Sequence, residues 1–189
     1  MELHTLFAGV DYTGTLPDGQ ATLVTQDSRR AGPGAVFVCA KGRTADGHDF
    51  ARKALEAGAV CIVTERPLGL PREVTVENGR KAYALLCQNY FGNPAQQLKL
   101  VAVTGTNGKT TVSTLIKQII EHTGHKAGLI GTIHTEIDQM EVPAKFTTPE
   151  AWDLAALLAR MAAAGCEYAV MEASSQALDQ MRLWGLAFE

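Results

Sequence analysis

Residues 98–122 read LKLVAVTGTNGKTTVSTLIKQIIEH, and the fold turns on this stretch. Leu98 to Val103 alternate and then run apolar, the pattern of a buried strand. Gly105, Asn107 and Gly108 make a turn, and a periodic helix starts near Thr110 with Leu115, Ile116, Ile119 and Ile120 on its core side. A strand, a glycine loop ending in Lys-Thr, and a helix together form a phosphate-binding device. The glycines let backbone N–H groups turn toward an anion, the helix start adds its dipole, and Lys109 supplies a mobile positive charge. Thr110 Oγ1 is placed to touch Mg²⁺, and Thr111 to cap the helix or to make a second phosphate contact. The spacing departs from the common G-x-x-x-x-G-K-[ST]. Val103 stands where the first glycine would be, and the loop is the shorter G-x-x-G-K-T from Gly105 to Thr110.

Strand and helix patterns alternate on both sides of this loop. Upstream, a short helix is expected around Leu3 to Ala8 and strands over Ala21–Thr25, Ala35–Ala40, Val60–Thr64 and Val74–Glu77. Helices are expected over Phe50–Ala57 and from Gly79 to Tyr90, with Gly92-Asn93-Pro94 as a stop. Downstream, Lys126–Ile130 reads as a strand, and Thr132–Ile137 as its extension or partner. Thr148 is the expected N-cap of a helix running to about Ala164, with Pro149 at its first position and Leu154, Leu157, Leu158 and Met161 at core spacing. Tyr168–Met171 is a strand that delivers Glu172 and then Ser174-Ser175 at its C-terminal end, where open α/β sheets bind ligands. The expected fold class is α/β, with mostly parallel sheets in two parts. Residues 1–95 form a small N-terminal α/β domain, and residues 96–189 the first half of a P-loop-type parallel-sheet ATPase domain. The closing LWGLAFE begins an apolar stretch and stops, so the chain is expected to be cut inside this second domain, with exposed apolar surface and self-association as consequences.

Composition narrows the classes. The chain is 46% hydrophobic and 20% charged with a formal charge of −3, and this balance carries no basic excess to recommend nucleic acid. No apolar run approaches the roughly 20 residues of a membrane span, and the N-terminus lacks a signal-peptide layout. Cys39, Cys61, Cys87 and Cys166 lie far apart and read as core residues of a cytoplasmic protein. Met140 and Met161 read as packing residues.

Three further groups carry chemistry. Glu172 sits just past an apolar strand, where a carboxylate is costly without a cation or hydrogen bonds. It either shares a metal ion with Thr110 or caps a neighbouring loop. Asp27, Ser28 and Arg29 in one loop, and Arg43, Thr44 and His48 in another, are hydroxyl-and-charge clusters. They either hold phosphate or sugar groups or are ordinary solvated loops.

These motifs in combination resemble the Mur ligases of peptidoglycan synthesis, and among them the branch that adds the third amino acid. TGTNGKTT at 104–111 resembles the ligase form of the phosphate loop. Asp27-Ser28-Arg29 with PGAVFVCAKG at 33–42, ADGHDF at 45–50 and AGA at 57–59 resembles the N-terminal domain, and this argues against another Mur ligase or a folylpolyglutamate synthetase. Phe146 to Glu150 resembles the TTP motif, and MEASSQAL at 171–178 the substrate loop. The resemblance implies that Asp27, Ser28, Arg29, Arg43 and Thr44 bind the uridine diphosphate end of UDP-N-acetylmuramoyl-L-Ala-D-Glu. Thr147, Thr148, Ser174, Gln180 and Arg182 would hold its muramoyl-dipeptide part. Gly105, Thr106, Asn107, Gly108, Lys109, Thr110 and Thr111 would cradle ATP, with Thr110 and Glu172 on Mg²⁺ and with Lys109, Thr110 and Glu172 as the catalytic set. The implied reaction joins a diamino acid, L-lysine or meso-diaminopimelate, to the D-Glu carboxylate through an acyl phosphate. The implied setting is cytoplasmic and the implied full-length enzyme a monomer. A modified lysine and an amino-acid-binding domain are implied beyond Glu189, so these 189 residues are expected to be inactive alone. Gln176 replaces the histidine of the common SSH pattern, and it can donate a hydrogen bond but cannot titrate.

Overall fold

The computed structural model of the chain describes residues 1–42, 45–138 and 140–189. Backbone contacts divide it into two units, Met1–Tyr90 and Phe91–Glu189. Each is an α/β layer structure.

The first unit contains α1 (Leu3–Leu6), β1 (Leu23–Thr25), β2 (Ala35–Val38), α2 (Ala51–Glu56), β3 (Cys61–Thr64), β4 (Glu73–Thr75) and α3 (Gly79–Tyr90). Its sheet runs β1-β2-β3-β4, every pair parallel. The continuous apolar runs of β2 and β3 explain their central places. All four residues of each are buried, as strands covered on both faces require. Phe37, Cys39 and Ile62 pack with Ala51, Ala54 and Ala59 under α2. Cys39, Cys61, Cys87 and Cys166 are all buried and outside any disulfide. Burial pushes Cys39 and Cys61 up to about 12, so they behave as small apolar residues.

Two carboxylates order the loops of this sheet. Glu73 accepts from the Leu68 and Leu70 N–H groups and from Thr64 Oγ1 at 2.7–2.9 Å. Burial raises its carboxyl, but these donors outweigh it and hold the group below its ordinary 4.5. Asp46 caps a short 3₁₀ turn, Gly47–Phe50, through the His48 N–H, and contacts His48 Nδ1 at 2.6 Å. His48 Nε2 accepts the Glu65 N–H at 2.9 Å, so the ring proton sits on Nδ1 and points at Asp46. The hydrogen bonds from His48 hold the Asp46 carboxyl well below its usual range.

The second unit contains β5 (Lys99–Val103), α4 (Lys109–His122), β6 (Ala127–Ile130), β7 (His134–Ile137), β8 (Met140–Pro143), α5 (Ala151–Ala163), β9 (Tyr168–Glu172) and α6 (Ser175–Asp179). Its sheet runs β5-β9-β6-β7-β8. The first three strands are parallel, and β6-β7-β8 are antiparallel. The mostly parallel expectation therefore holds for the ligand-facing half only. β8 is not apparent in the sequence because MEVP is only four residues long, ends in proline and stays largely exposed as an edge strand. Asp138 takes φ 54 in the turn, a left-handed conformation that aspartate tolerates. Leu154, Leu158 and Met161 of α5 pack on Leu100, Ile130 and Met171, whereas Leu157 is only partly buried. Met140, read as a packing residue, is instead exposed, and its Sδ accepts from Arg160. Among the described residues no helix is long and apolar enough to cross a membrane.

Helix α4 follows its sequence reading only in part, since Ile116 and Ile120 are half-buried. Leu115 and Ile119 are exposed, with Val112 beside them, while Ser113 and Lys117 are the buried residues. The polar stripe faces the sheet because its charge is matched there. Lys117 Nζ lies 2.8 Å from both Glu121 and Glu136, and His134 Nε2 lies 2.7 Å from the other Glu136 oxygen. Burial would lower the Lys117 ammonium, but the two carboxylates outweigh it and raise it. Burial likewise raises Glu136, and Lys117 with His134 pull it below 4.5. The pair ties α4 to β7.

Replacing Lys117 by Ala should cost about 2 kcal/mol in urea denaturation, because half-buried Glu136 loses its ammonium partner and keeps His134 on its other oxygen. A loss under about 0.5 kcal/mol would mean that the tie is idle. Asp46, Glu73 and Glu136 are all depressed, so their stabilisation is complete above the unfolded values near 3.8 and 4.5 and fades as pH falls through the folded ones. The denaturation midpoint should therefore drop steeply below about pH 4.5, and Glu73→Gln should flatten that slope.

Candidate active site

The parallel strands β5, β9 and β6 bring three loops to one edge of the sheet. Val103 stands opposite Glu172, and Ile130 opposite Met171, so the segments 104–108, 172–174 and 131–132 emerge side by side. Ala173 N–H donates to the Val103 carbonyl at 2.9 Å and extends that pairing beyond the strands. Ligand sites of open α/β sheets form at this end.

The loop after β5 is the glycine loop. Gly108 is the N-cap of α4 at φ 79, a conformation costly for any residue with a Cβ. The cap is Gly108, which has no side chain to offer, so Thr111 does not serve there, and among the described residues no side chain accepts from the first-turn N–H groups. Lys109 Nζ folds back to the Gly105 carbonyl at 2.9 Å. Thr106, Asn107 and Thr111 are exposed, and Thr110 is half-buried. Uncapped helix N–H groups beside a lysine suit phosphate oxygens.

Glu172 ends β9 with 1% of its surface exposed. Its Oε1 accepts the Thr132 N–H at 3.0 Å, and its Oε2 accepts Thr132 Oγ1 at 2.9 Å. A Cβ on Gly131 would stand 2.9 Å from Oε1, so a side chain there would push the carboxylate from this position. Glu172 thus caps the neighbouring loop and still keeps carboxylate lone pairs. A hydroxyl and a carboxylate are hard oxygen donors that suit Mg²⁺, which needs few protein ligands when phosphates supply others. Among the described residues no group of three or more His, Cys, Asp or Glu could hold a metal ion.

Thr148, 1% exposed, is the joint of the site. Its Oγ1 donates to the Glu172 carbonyl at 2.7 Å and accepts the Ser174 N–H at 3.0 Å. It is not the N-cap of α5, where Glu150 stands. Tertiary bonds claim the hydroxyl before the helix can. Ser174 caps α6 through Ala177 N–H. Arg182 donates from Nη1 to the Thr148 carbonyl at 2.7 Å, from Nε and Nη2 to Gln180 Oε1 at 3.0 and 2.6 Å, and pairs with Glu150 at 2.5 Å. Its side chain is 9% exposed. Arg182 is therefore a strut of the 146–150 segment in this structure, and Thr147 is the hydroxyl of that motif on the outside.

In the first unit, Asp27 caps a short turn through Arg29 N–H and also takes Arg29 Nε and Nη2 at 2.9 and 2.7 Å. The Arg29 guanidinium holds the Asp27 carboxyl below its ordinary range. Two members of the trio are thus engaged with each other, and Ser28 between them is half-buried. Next to them, Gln26 Nε2 is a buried amide donor without a hydrogen-bond partner among the described residues. Orphaned buried donors are rare and mark a place for a polar partner. Arg43 and Thr44 lie outside the described residues, and His48 is used within the fold as described above.

Sequence reasoning missed Gln26, Gly131, Thr132 and Glu150. The ligand rule for strand ends would have found Gly131-Thr132 after the AGLI strand. Gln26 and Glu150 carry no such signal.

A glycine loop between a parallel strand and a helix, beside a buried carboxylate on the next strand, defines an α/β protein of P-loop-like architecture. Residues 103–189 match the model of the Mur ligase middle domain, and residues 20–90 that of the Mur ligase family catalytic domain. The chain belongs to the Mur ligase family. It is similar to the UDP-N-acetylmuramoyl-L-alanyl-D-glutamate–2,6-diaminopimelate ligase of Clostridium perfringens, 40% identical across the whole chain and 40% of that protein. The ligase of the same name from Geobacillus kaustophilus is 46% identical over 86% of the chain and 34% of its own length. A solved ligase of that name superposes with a TM-score of 0.71 at 30% identity, over 89% of this chain and 35% of the other. MurF from Acinetobacter baumannii, at 21% identity and a TM-score of 0.58 over 91% of this chain and 35% of that one, shares the fold. The chain spans about 40% of the length of the curated relatives it matches.

Thr148→Val should destabilise the second unit by about 2 kcal/mol, because the buried Ser174 N–H loses its acceptor and the Glu172 carbonyl its donor. Hydrogen exchange at Ser174 should rise with it. Unchanged protection there would show that Thr148 is not the joint.

Proposed function

We propose that this chain carries the nucleotide-sugar and ATP sites of an ATP-dependent ligase. The enzyme would add a diamino acid to UDP-N-acetylmuramoyl-L-Ala-D-Glu in the cytoplasm during peptidoglycan synthesis. The observation that carries the reading is the pairing of Val103 with Glu172, which sets the glycine loop beside a buried carboxylate. The relatives, named as 2,6-diaminopimelate ligases, favour diaminopimelate over lysine as the amine. Residues 1–95 take the uridine diphosphate end, with Ser28 and the orphaned Gln26 amide as donors and Arg43 and Thr44 as phosphate partners. Residues 96–189 take ATP, Mg²⁺ and the dipeptide.

In this reading the α4 N–H groups and Lys109 hold the ATP phosphates, and Lys109 must leave the Gly105 carbonyl to do so. Thr110 and Glu172 would hold Mg²⁺, which offsets charge on the transferred phosphoryl group when bound. Thr147, Ser174 and Gln180 orient the dipeptide so that its D-Glu carboxylate oxygen is in line with the γ-phosphorus. The new P–O bond forms as the bond to ADP breaks. The amine nitrogen of the diamino acid then attacks the acyl carbon, loses a proton, and phosphate departs. Gln176 offers a hydrogen bond but no titrating group at the start of α6.

Isothermal calorimetry on the chain tests this. It should bind Mg²⁺ with a non-hydrolysable ATP analogue and, separately, the UDP-muramoyl dipeptide. Lys109→Ala should weaken the nucleotide by roughly 10-fold or more and leave the UDP ligand unchanged. Ser28→Ala should do the reverse. Binding of the UDP ligand alone would reduce the chain to a sugar-nucleotide module, and binding of nucleotide alone to a regulatory P-loop protein.

A further inference from the structure

Resting on the function proposed above, we propose that Thr132 is a positioning residue of the reaction. Its hydroxyl sets the plane of the Glu172 carboxylate and links it to Thr147 on the dipeptide side. Thr132 follows β6, is itself exposed, and lies over a carboxylate that is 1% exposed. It holds both oxygens, N–H to Oε1 at 3.0 Å and Oγ1 to Oε2 at 2.9 Å. Two donors from one residue on two oxygens fix the rotation of the carboxylate, which a single bond would leave free. The turn that carries Thr132 is closed by Gly131 N–H on the His134 carbonyl at 3.2 Å, and Gly131 leaves the room that the carboxylate fills.

The direction of the bonds follows from proton count. Thr132 Oγ1 also lies 3.1 Å from Thr147 Oγ1. A hydroxyl has one proton, and a carboxylate only accepts. Thr132 is the donor toward Thr147 as well, and its single proton goes to the nearer, charged acceptor, Glu172 Oε2 at 2.9 Å, in preference to Thr147 Oγ1. Partners that orient a metal ligand typically change metal affinity by roughly 10–100-fold when removed.

The test is the gain in affinity that Mg²⁺ confers on a non-hydrolysable ATP analogue, measured by calorimetry with and without Mg²⁺ on the full chain. Thr132→Val should cut that gain roughly 10-fold. Its Mg²⁺-free affinity should stay within about twofold, since the glycine loop and Lys109 are untouched. Thr132→Ser, which keeps the hydroxyl, should restore the gain. If Thr132→Val does not fold, Thr132→Ala is measured in its place. The proposal falls if the hydroxyl-free variant keeps the gain, if Thr132→Ser loses it as well, or if Mg²⁺-free affinity drops in step, as a merely structural effect would produce. A wild-type chain that binds no nucleotide would instead overturn the function on which this proposal rests.

Discussion

A carboxylate at the end of the central parallel strand, closed off from water, is the constraint to which the rest of the second unit answers. Glu172 has 1% of its surface exposed, and an unpaired charge there would cost several kcal/mol. Its side-chain oxygens take both donors of Thr132, and its carbonyl takes the hydroxyl of Thr148. The loops after β6 and before α5 are thereby drawn to the end of β9. Thr148 in turn receives Ser174 N–H, and Arg182 holds the Thr148 carbonyl. Satisfying one buried group assembles four loops.

The same logic explains what is spent and what remains available. Arg182 uses its guanidinium on Thr148, Gln180 and Glu150, and Arg29 uses its own on Asp27. In each cluster the charged residues build the loop and leave a small hydroxyl half-buried, Thr147 in one and Ser28 in the other. Lys109 differs, because its bond to the Gly105 carbonyl is a single exposed contact.

Helix α4 shows how electrostatics can override a hydrophobic stripe. Periodicity put Leu115 and Ile119 toward the sheet, yet both are exposed, and Lys117 is buried between Glu121 and Glu136. The lysine stem packs while its ammonium finds two carboxylates, one of them on β7. No periodicity rule could anticipate this, since Glu136 lies outside the helix and on a hairpin whose second strand is nearly all polar or exposed.

The sequence by itself determined the alternation of strands and helices, the position of the glycine loop, and the placement of Glu172 and Ser174 at a strand end. Those features rest on local pattern: apolar runs, glycine turns, and the 3.6-residue period. The family resemblance was legible for the same reason, as short motifs in a fixed order. Only the tertiary structure decided which polar groups face inward. Thr148 left its expected cap for Glu172 and Ser174, Arg182 became a strut, Thr132 entered the site, and the Gln26 amide was left without a partner among the described residues. The physical reason is that a buried polar group must be satisfied by whatever the fold brings within about 3 Å. Those partners come from residues up to 40 positions away in the chain.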